Sequence, residues 1–377
     1  MQSRYSTHMI PVARRLLLRN RGGWMVTVSG IAATVALVLF LFAVHDGAKD
    51  GSTRYVRTAA VDIWISQKNA DNILKSSSFL RASLAEDIAE IDGVAVASPL
   101  ARLITKASIG RTRTSTIFVL AFDPETKVGA PGTVGEGSSD LKPGEIILDR
   151  AFVEKYGLAV GDAVEIQGKR FRLAGVSEGT NALVAQFGFA RFDDAEELLG
   201  LKGIASFIVV RLDNPKDRAA VAQRIRAAFP DLAVHQAADF VRFHEDEADA
   251  GVLPVFATAA AFGAVVCAFI VALMLYNSVL ERREDYATLK ALGASQRYLL
   301  RIVVGQALLV TAAGCVAGAL FVAALTPLLR EAVPALALRY SPSLLLIVPC
   351  VLLIGALAAA APVRMLRRIY PAEVFRA

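Results

Sequence analysis

Residues Glu281–Arg301 read ERREDYATLKALGASQRYLLR and separate two long uncharged runs, Gly251–Leu280 and Ile302–Leu329. Tyr286, Leu289 and Leu292 fall at helical spacing, whereas Arg283, Glu284 and Lys290 belong to the polar remainder. The spacing predicts an amphipathic helix stopped at Gly293, a residue that enters the left-handed region without steric penalty. Ala294 and Ser295 then turn the chain, and a second helix begins near Gln296. A connection between membrane spans needs only a few polar residues. A shaped, amphipathic one implies a socket on a cytoplasmic partner. The same pattern also describes a solvated loop whose arginines fix topology.

Working outward, four runs lack charge and reach the ~20 residues needed to cross a bilayer. They are Trp24–Val44, Gly251–Leu280, Ile302–Leu329 and Tyr340–Val363. The first is too long for a signal-peptide core and is read as an uncleaved anchor. The chain is 55% hydrophobic and its mean hydropathy is +0.48, values that fit an integral membrane protein with a sizeable polar part. Residues 1–23, 281–301 and 363–377 together carry fourteen Lys or Arg against four acids, so the rest of the chain is net negative although the whole is +6. The positive-inside bias places both termini and the loop in the cytoplasm, and residues 46–250 outside. The basic balance thus reflects topology and implies no nucleic-acid partner. Cys267, Cys315 and Cys350 all lie in apolar runs, which excludes a disulfide framework in the external part.

The order of parts follows. Residues 1–23 include a basic stretch, 10–21, that fits either an amphipathic helix on the inner membrane face or a plain topogenic cluster. Residues 24–45 form the first span, which is expected to continue outward as a stalk. Residues 46–250 are the external domain. The second span, 251–280, is approached by a helix-prone acidic stretch, Ala237–Gly251, that reads as running into it without a turn, with Pro254 as a kink. The loop 281–301, spans 302–329 and 340–363, and a tail 364–377 complete the chain. Gly314 and Gly318 give the third span a G-x-x-x-G face for close helix approach, whose partner lies within the chain or in a second copy.

The external domain alternates strands and helices. Strands are expected at 61–66, 94–99, 101–109 and 115–122, with a helix at 79–91 and a Gly/Pro/Ser-rich linker at 123–140. A compact unit at about 143–200 follows: a strand at Glu145–Leu148, a helix capped by Asp149 and ended by Gly157, a hairpin around Gly168-Lys169, and a helix at Ala195–Leu199 capped by Asp193 or Asp194. A strand at Ser206–Leu212, a helix at Lys216–Phe229 and a strand near Ala233–His235 close the domain.

Little in the chain points to chemistry. Gly168-Lys169 is the only Gly-Lys pair, with Ala163 and Arg170 where a phosphate-binding loop needs Gly and Ser or Thr, so no ATP or Mg site is expected here. Gly175-Val176-Ser177-Glu178-Gly179 fits G-x-S-x-G, yet Thr180-Asn181 follow where a nucleophile elbow needs a helix. His244-Glu245-Asp246-Glu247 with Asp249 reads as a solvated acidic face rather than a metal site, because consecutive helical residues diverge. The four spans hold no Asp, Glu, Lys, Arg or His, which argues against an ion-coupled transporter.

The loop, with its LKALGA core followed by YLLRIVVGQALLV (Tyr298–Val310), resembles that of FtsX/MacB-type ABC-transporter permeases, and is most similar to the DevC-like branch. PGEIILDRAFVEKYGLAVGDAVEIQGKRFRLAGV (Pro143–Val176) is similar to the inserted unit of MacB-like periplasmic core domains, and Pro371-Ala372-Glu373 to the closing signature of many members. The resemblance implies four transmembrane helices with an α/β domain after the first, a split α/β sandwich carrying an inserted β-rich unit. It implies an ATPase-coupling helix at Arg283, Glu284, Tyr286, Leu289, Lys290, Leu292 and Gly293. It further implies a non-catalytic subunit of the bacterial inner membrane, a permease dimer among membrane lipids, and a cytoplasmic ABC ATPase that binds the ATP and Mg. For the DevC-like branch it adds a periplasmic membrane-fusion adaptor and an outer-membrane channel. Export of a lipid, glycolipid, peptide or small amphiphile is the implied activity. An FtsX-type protein that signals to a cell-wall hydrolase, and a lipoprotein-releasing permease, are the family alternatives. The division proteins usually carry a smaller external domain without the inserted unit.

Overall fold

The computed structural model describes residues 21–358, except 75–77, 111, 182–185, 252, 282–287, 289–292, 334, 335, 337 and 343–345. The expected basic helix at 10–21, all but its last residue, and the tail 364–377 lie outside these. In chain order the elements are α1 (Arg21–Thr58), β1 (Ile63–Gln67), β2 (Leu80–Arg81), α2 (Leu84–Ala89), β3 (Val94–Ile109), β4 (Arg113–Phe122), β5 (Val134–Gly137), β6 (Glu145–Asp149) and α3 (Arg150–Tyr156). They continue with β7 (Ala163–Ile166), β8 (Lys169–Ser177), β9 (Phe187–Arg191), α4 (Phe192–Leu199), β10 (Ile204–Ala205), β11 (Phe207–Leu212), α5 (Arg218–Ala228), β12 (Leu232–Gln236) and α6 (Ala237–Ala250). The last are α7 (Leu253–Leu280), α8 (Gln296–Ala332) and α9 (Ile347–Ala358). The chain divides into two compact units. One holds residues 1–46, 255–328 and 340–377, and the other 47–254 and 329–339.

The first unit is helical. Three described helices are long and apolar enough to cross a membrane, over Trp24–Thr58, Pro254–Met274 and Arg297–Ala332. Four were expected. Within 340–363 the described residues include helix α9, Ile347–Ala358, and 343–345 and 359–363 lie outside the described residues. Ile31, Val35 and Val38 of α1 pack on Leu299, Ile302, Val303, Ala307 and Val310 of α8. These recur every three to four residues on each helix, the period that keeps one face in contact.

The second unit is built on a mixed sheet in the order β12-β1-β11-β3-β4-β9-β6-β8-β5. Strand β1 lies between β11 and β12, antiparallel to both. Its residues alternate: Ile63 and Ile65 face one core with α2 and α5, and Trp64 faces another with Tyr55 of α1 and Phe240 of α6. Burial on both faces is why VDIWIS reads as nearly continuous apolar sequence.

Several expectations change. The strands expected at 94–99 and 101–109 are one sixteen-residue strand, β3, whose first half pairs with β11 and whose whole second half pairs with β4. Near its end Ala107 also pairs with Ile166 of β7. Strands β3, β4, β9, β6, β8 and β7 therefore close into a ring. The expected inserted unit is thus continuous with the main sheet, and closure removes the free edges a separate small sheet would expose. The expected linker 123–140 contains β5 on β8, and its Val128 is fully buried. It is a strap: glycine lets it lie flat on α1, where a Cβ on Gly132 would stand 2.6 Å from Thr58 Cβ. The helix expected at 79–91 shrinks to α2 after a two-residue strand paired with β10. Helix α4 starts at Phe192, so Asp193 and Asp194 sit in its first turn and neither caps it. Finally, α6 does not run into the apolar helix. It ends at Ala250, Gly251 adopts φ −94° and ψ −104°, and α7 begins at Leu253.

Candidate functional site

The loop that the sequence marks is only partly described. Arg283, Glu284, Tyr286, Leu289, Lys290 and Leu292 lie outside the described residues. Gly293 is described and takes φ +90°, the left-handed conformation that ends a helix. Ser295 then opens α8: its carbonyl accepts from the N–H groups of Tyr298 and Leu299, and its Oγ from Tyr298 at 3.3 Å. Ser295, a turn residue by sequence, thus caps α8.

Gly314 and Gly318 stand on α8 where it meets α1. A Cβ on Gly314 would approach Ile31 Cγ2 to 2.5 Å, and one on Gly318 the carbonyl oxygen of Ala32 to 2.7 Å. The small-residue face therefore seats α1 of the same chain.

In the second unit the residues that matter are where α1 and α6 enter the sheet. Tyr55 near the end of α1 is 2% exposed and donates its hydroxyl to the Gly129 carbonyl of the strap at 2.7 Å. Its ring meets Trp64, Phe187 and Phe189 at 5.5 to 6.3 Å between centroids. Phe240 of α6 stacks on Trp64 at 4.7 Å. One turn on, His244 is buried. Its Nε2 accepts from the Ile73 N–H at 3.0 Å, so the proton sits on Nδ1, which donates to the Phe240 carbonyl at 2.8 Å. Burial pushes its pKa down to about 4, and the ring is neutral.

The two helices are also joined directly. Lys49 pairs with Asp249 at 2.8 Å and Arg57 with Glu245 at 2.5 Å. The acidic stretch read as a solvated face is therefore divided: His244 points into the core, and Glu245 and Asp249 bind α1. Among the described residues no group of His, Cys, Asp and Glu is arranged to hold a metal.

Nor does Ser177 form a nucleophile elbow. It is fully buried at the end of β8 and shares a 2.7 Å hydrogen bond with Thr180, whose hydroxyl donates to Asp149 Oδ2 at 2.7 Å. Asp149 Oδ1 caps α3 through the Ala151 N–H. The Ser177-Thr180-Asp149 chain pins a strand end to a helix start. The described histidines lie elsewhere: His45 bonds to Asp46, His235 stands 3.0 Å from Asp71, and His244 is placed as above.

Comparison with known proteins identifies the family. A family model described as FtsX-like permease C-terminal matches residues 257–371, and one described as MacB-like periplasmic core domain matches residues 24–228. An uncharacterized ABC transporter permease of Mycobacterium tuberculosis (strain ATCC 25618 / H37Rv) is 26% identical over 356 residues, covering 93% of this chain and 95% of its own. Another from Methanocaldococcus jannaschii is 29% identical over 193 residues, 44% of this chain and 46% of its own. Among solved structures, the periplasmic region of MacB from Actinobacillus actinomycetemcomitans aligns with TM-score 0.39 and 11% identity, over 49% of this chain and 94% of that one. This chain belongs to the ABC transporter permeases of MacB/FtsX type, membrane subunits that work with an ATPase partner.

Proposed function

We propose that the chain is the transmission of an ATP-driven exporter of the bacterial inner membrane. The partner ATPase grips the amphipathic loop at 281–301, moves it on binding and hydrolysing ATP, and the apolar helices deliver that movement to the α/β unit. A lipid, glycolipid, peptide or small amphiphile is the cargo. The permease works as a dimer, with the adaptor and outer-membrane channel that similarity to the DevC-like branch implies. The carrying observation is the anchoring of α1 and α6 in one sheet. Tyr55 and Phe240 enter the same aromatic core, and Lys49–Asp249 and Arg57–Glu245 tie the two helices together. A helix seated this way moves its sheet with it, because close-packed cores shift as bodies rather than deform. The closed strand ring supports export over the signalling reading, since the division-type proteins usually lack the inserted unit that contributes to it.

The test uses purified full-length chain and its ATPase. Alone, the chain turns over no ATP; added to the ATPase, it changes the hydrolysis rate. Leu289→Asp with Leu292→Asp abolishes that change while the thermal midpoint of the permease stays put. An unaltered response of the ATPase to the doubly substituted chain would overturn the reading.

A further inference from the structure

The second unit holds a cavity of about 400 Å³ between α3, the end of α1, and residues Arg330, Leu336, Leu338 and Arg339. Arg54, Arg150, Arg330 and Arg339 line it, with Leu336 and Leu338 as an apolar wall. Two acids also line it, Asp149 and Glu154. Asp149 is spoken for, with both oxygens already accepting hydrogen bonds from Thr180 and Ala151. The arginines are not used up in the same way. Arg54 and Arg339 share the single carboxylate of Asp50. Arg57 also reaches Asp50, at 3.9 Å. Arg150 spends one N–H each on Glu136 and Glu178, at 2.8 and 2.9 Å. A guanidinium offers five N–H donors, so each keeps several for another acceptor. The Arg330 side chain makes no ion pair or hydrogen bond among the described residues. The backbone makes room as well. Gly179 lies at φ +69° directly under Arg54, and a Cβ there would sit 2.8 Å from Arg54 Cδ.

Converging guanidiniums with spare donors, at least one of them unpaired, are the recognition chemistry of phosphate. We propose that this cavity binds a phosphate group, with Arg330 as its free cation and Arg54, Arg150 and Arg339 as fixed walls. The leucine wall admits an apolar neighbour, so a free phosphate ester and a phospholipid headgroup share the required chemistry. The assignment concerns what the external unit binds and does not depend on the export reading.

The experiment uses the full-length chain in dodecyl maltoside, a detergent without phosphate. One arm titrates glycerol 1-phosphate by calorimetry against sodium chloride of equal ionic strength. The other adds phosphatidylglycerol to the detergent and measures its retention by native mass spectrometry. Arg330→Gln, which breaks no internal pair, weakens the bound probe at least fivefold, and Arg330→Lys retains most of the binding. Binding in the first arm alone identifies a soluble phosphate, and in the second alone a headgroup; either supports the site. Absence of binding in both arms overturns it. So does binding that chloride reproduces, that Arg330→Gln leaves unchanged, or that Lys216→Gln, on a different surface, weakens as much as Arg330→Gln does.

Discussion

His244 shows how much one buried ring can decide. Its neutral form is fixed from both sides, by a donor at Ile73 and an acceptor at Phe240, and a proton on Nε2 would displace the Ile73 N–H. The folded pKa of about 4 lies below the ordinary histidine value of 6.5. Above pH 6.5 the stabilisation is complete. As pH falls from 6.5 towards 4, the unfolded chain takes up a proton the folded one refuses, and up to about 3 kcal/mol is lost. The thermal midpoint of the full-length chain in detergent should therefore drop between pH 7 and 5. His244→Gln should start lower, by about 1–2 kcal/mol for the impaired hydrogen bonds, and follow a flatter curve over the same range. A wild-type curve no steeper than that of His244→Gln would disprove the assignment. The residue was visible in the sequence only as one member of an acidic helical run. Which member of the run turned inward depended on Trp64 and Phe240, residues brought together by folding.

At the scale of elements, α8 carries three glycines in equivalent sequence surroundings that meet different neighbours. Gly318 abuts the backbone carbonyl of Ala32, which cannot yield, and Gly314 abuts Ile31. A Cβ on Gly305 would meet nothing within 4 Å. Gly318→Ala should thus force α1 and α8 apart and destabilise the chain by about 1–3 kcal/mol. Gly305→Ala should be neutral or stabilise by up to about 1 kcal/mol through helix propensity. Thermal midpoints measured on the two variants side by side provide the check, and equal shifts would remove the packing argument. The G-x-x-x-G spacing was legible beforehand; its partner was not. Spacing reports a face that permits close approach, while the identity of the approaching helix is a tertiary fact. Strand β9 illustrates the opposite failure. FGFAR (Phe187–Arg191) alternates as a strand should, but glycine within a five-residue run weakens the pattern. Its pairing with β4 supplies what local sequence does not.

For the molecule as a whole, three long apolar helices, the alternation of strands and helices between the first two, and the hairpin at Gly168-Lys169 followed from periodicity and turn chemistry. The closed ring did not, because it depends on β3 meeting β7 across more than fifty residues of intervening chain. The pairs between α1 and α6 were equally hidden: Lys49 and Asp249 stand two hundred residues apart. Both side chains are part-exposed, at 38% and 48%, so the pair contributes under about 1 kcal/mol to stability. Its importance would lie in register, holding one helix to the other while load passes between them. Lys49→Asp should then leave the thermal midpoint almost unchanged yet alter what the ATPase can do at a distance. Hydrogen exchange measured on the permease–ATPase complex, with and without ATP, reads this directly. In the native chain ATP should change exchange in both 47–58 and 237–250. In Lys49→Asp the change at 237–250 should fall at least threefold, and combining it with Asp249→Lys should restore it, because the swapped pair attracts as the native one does. The same ATP-dependent change at 237–250 in all three chains would mean that the sheet core alone couples the helices, and that the ion pair is a bystander.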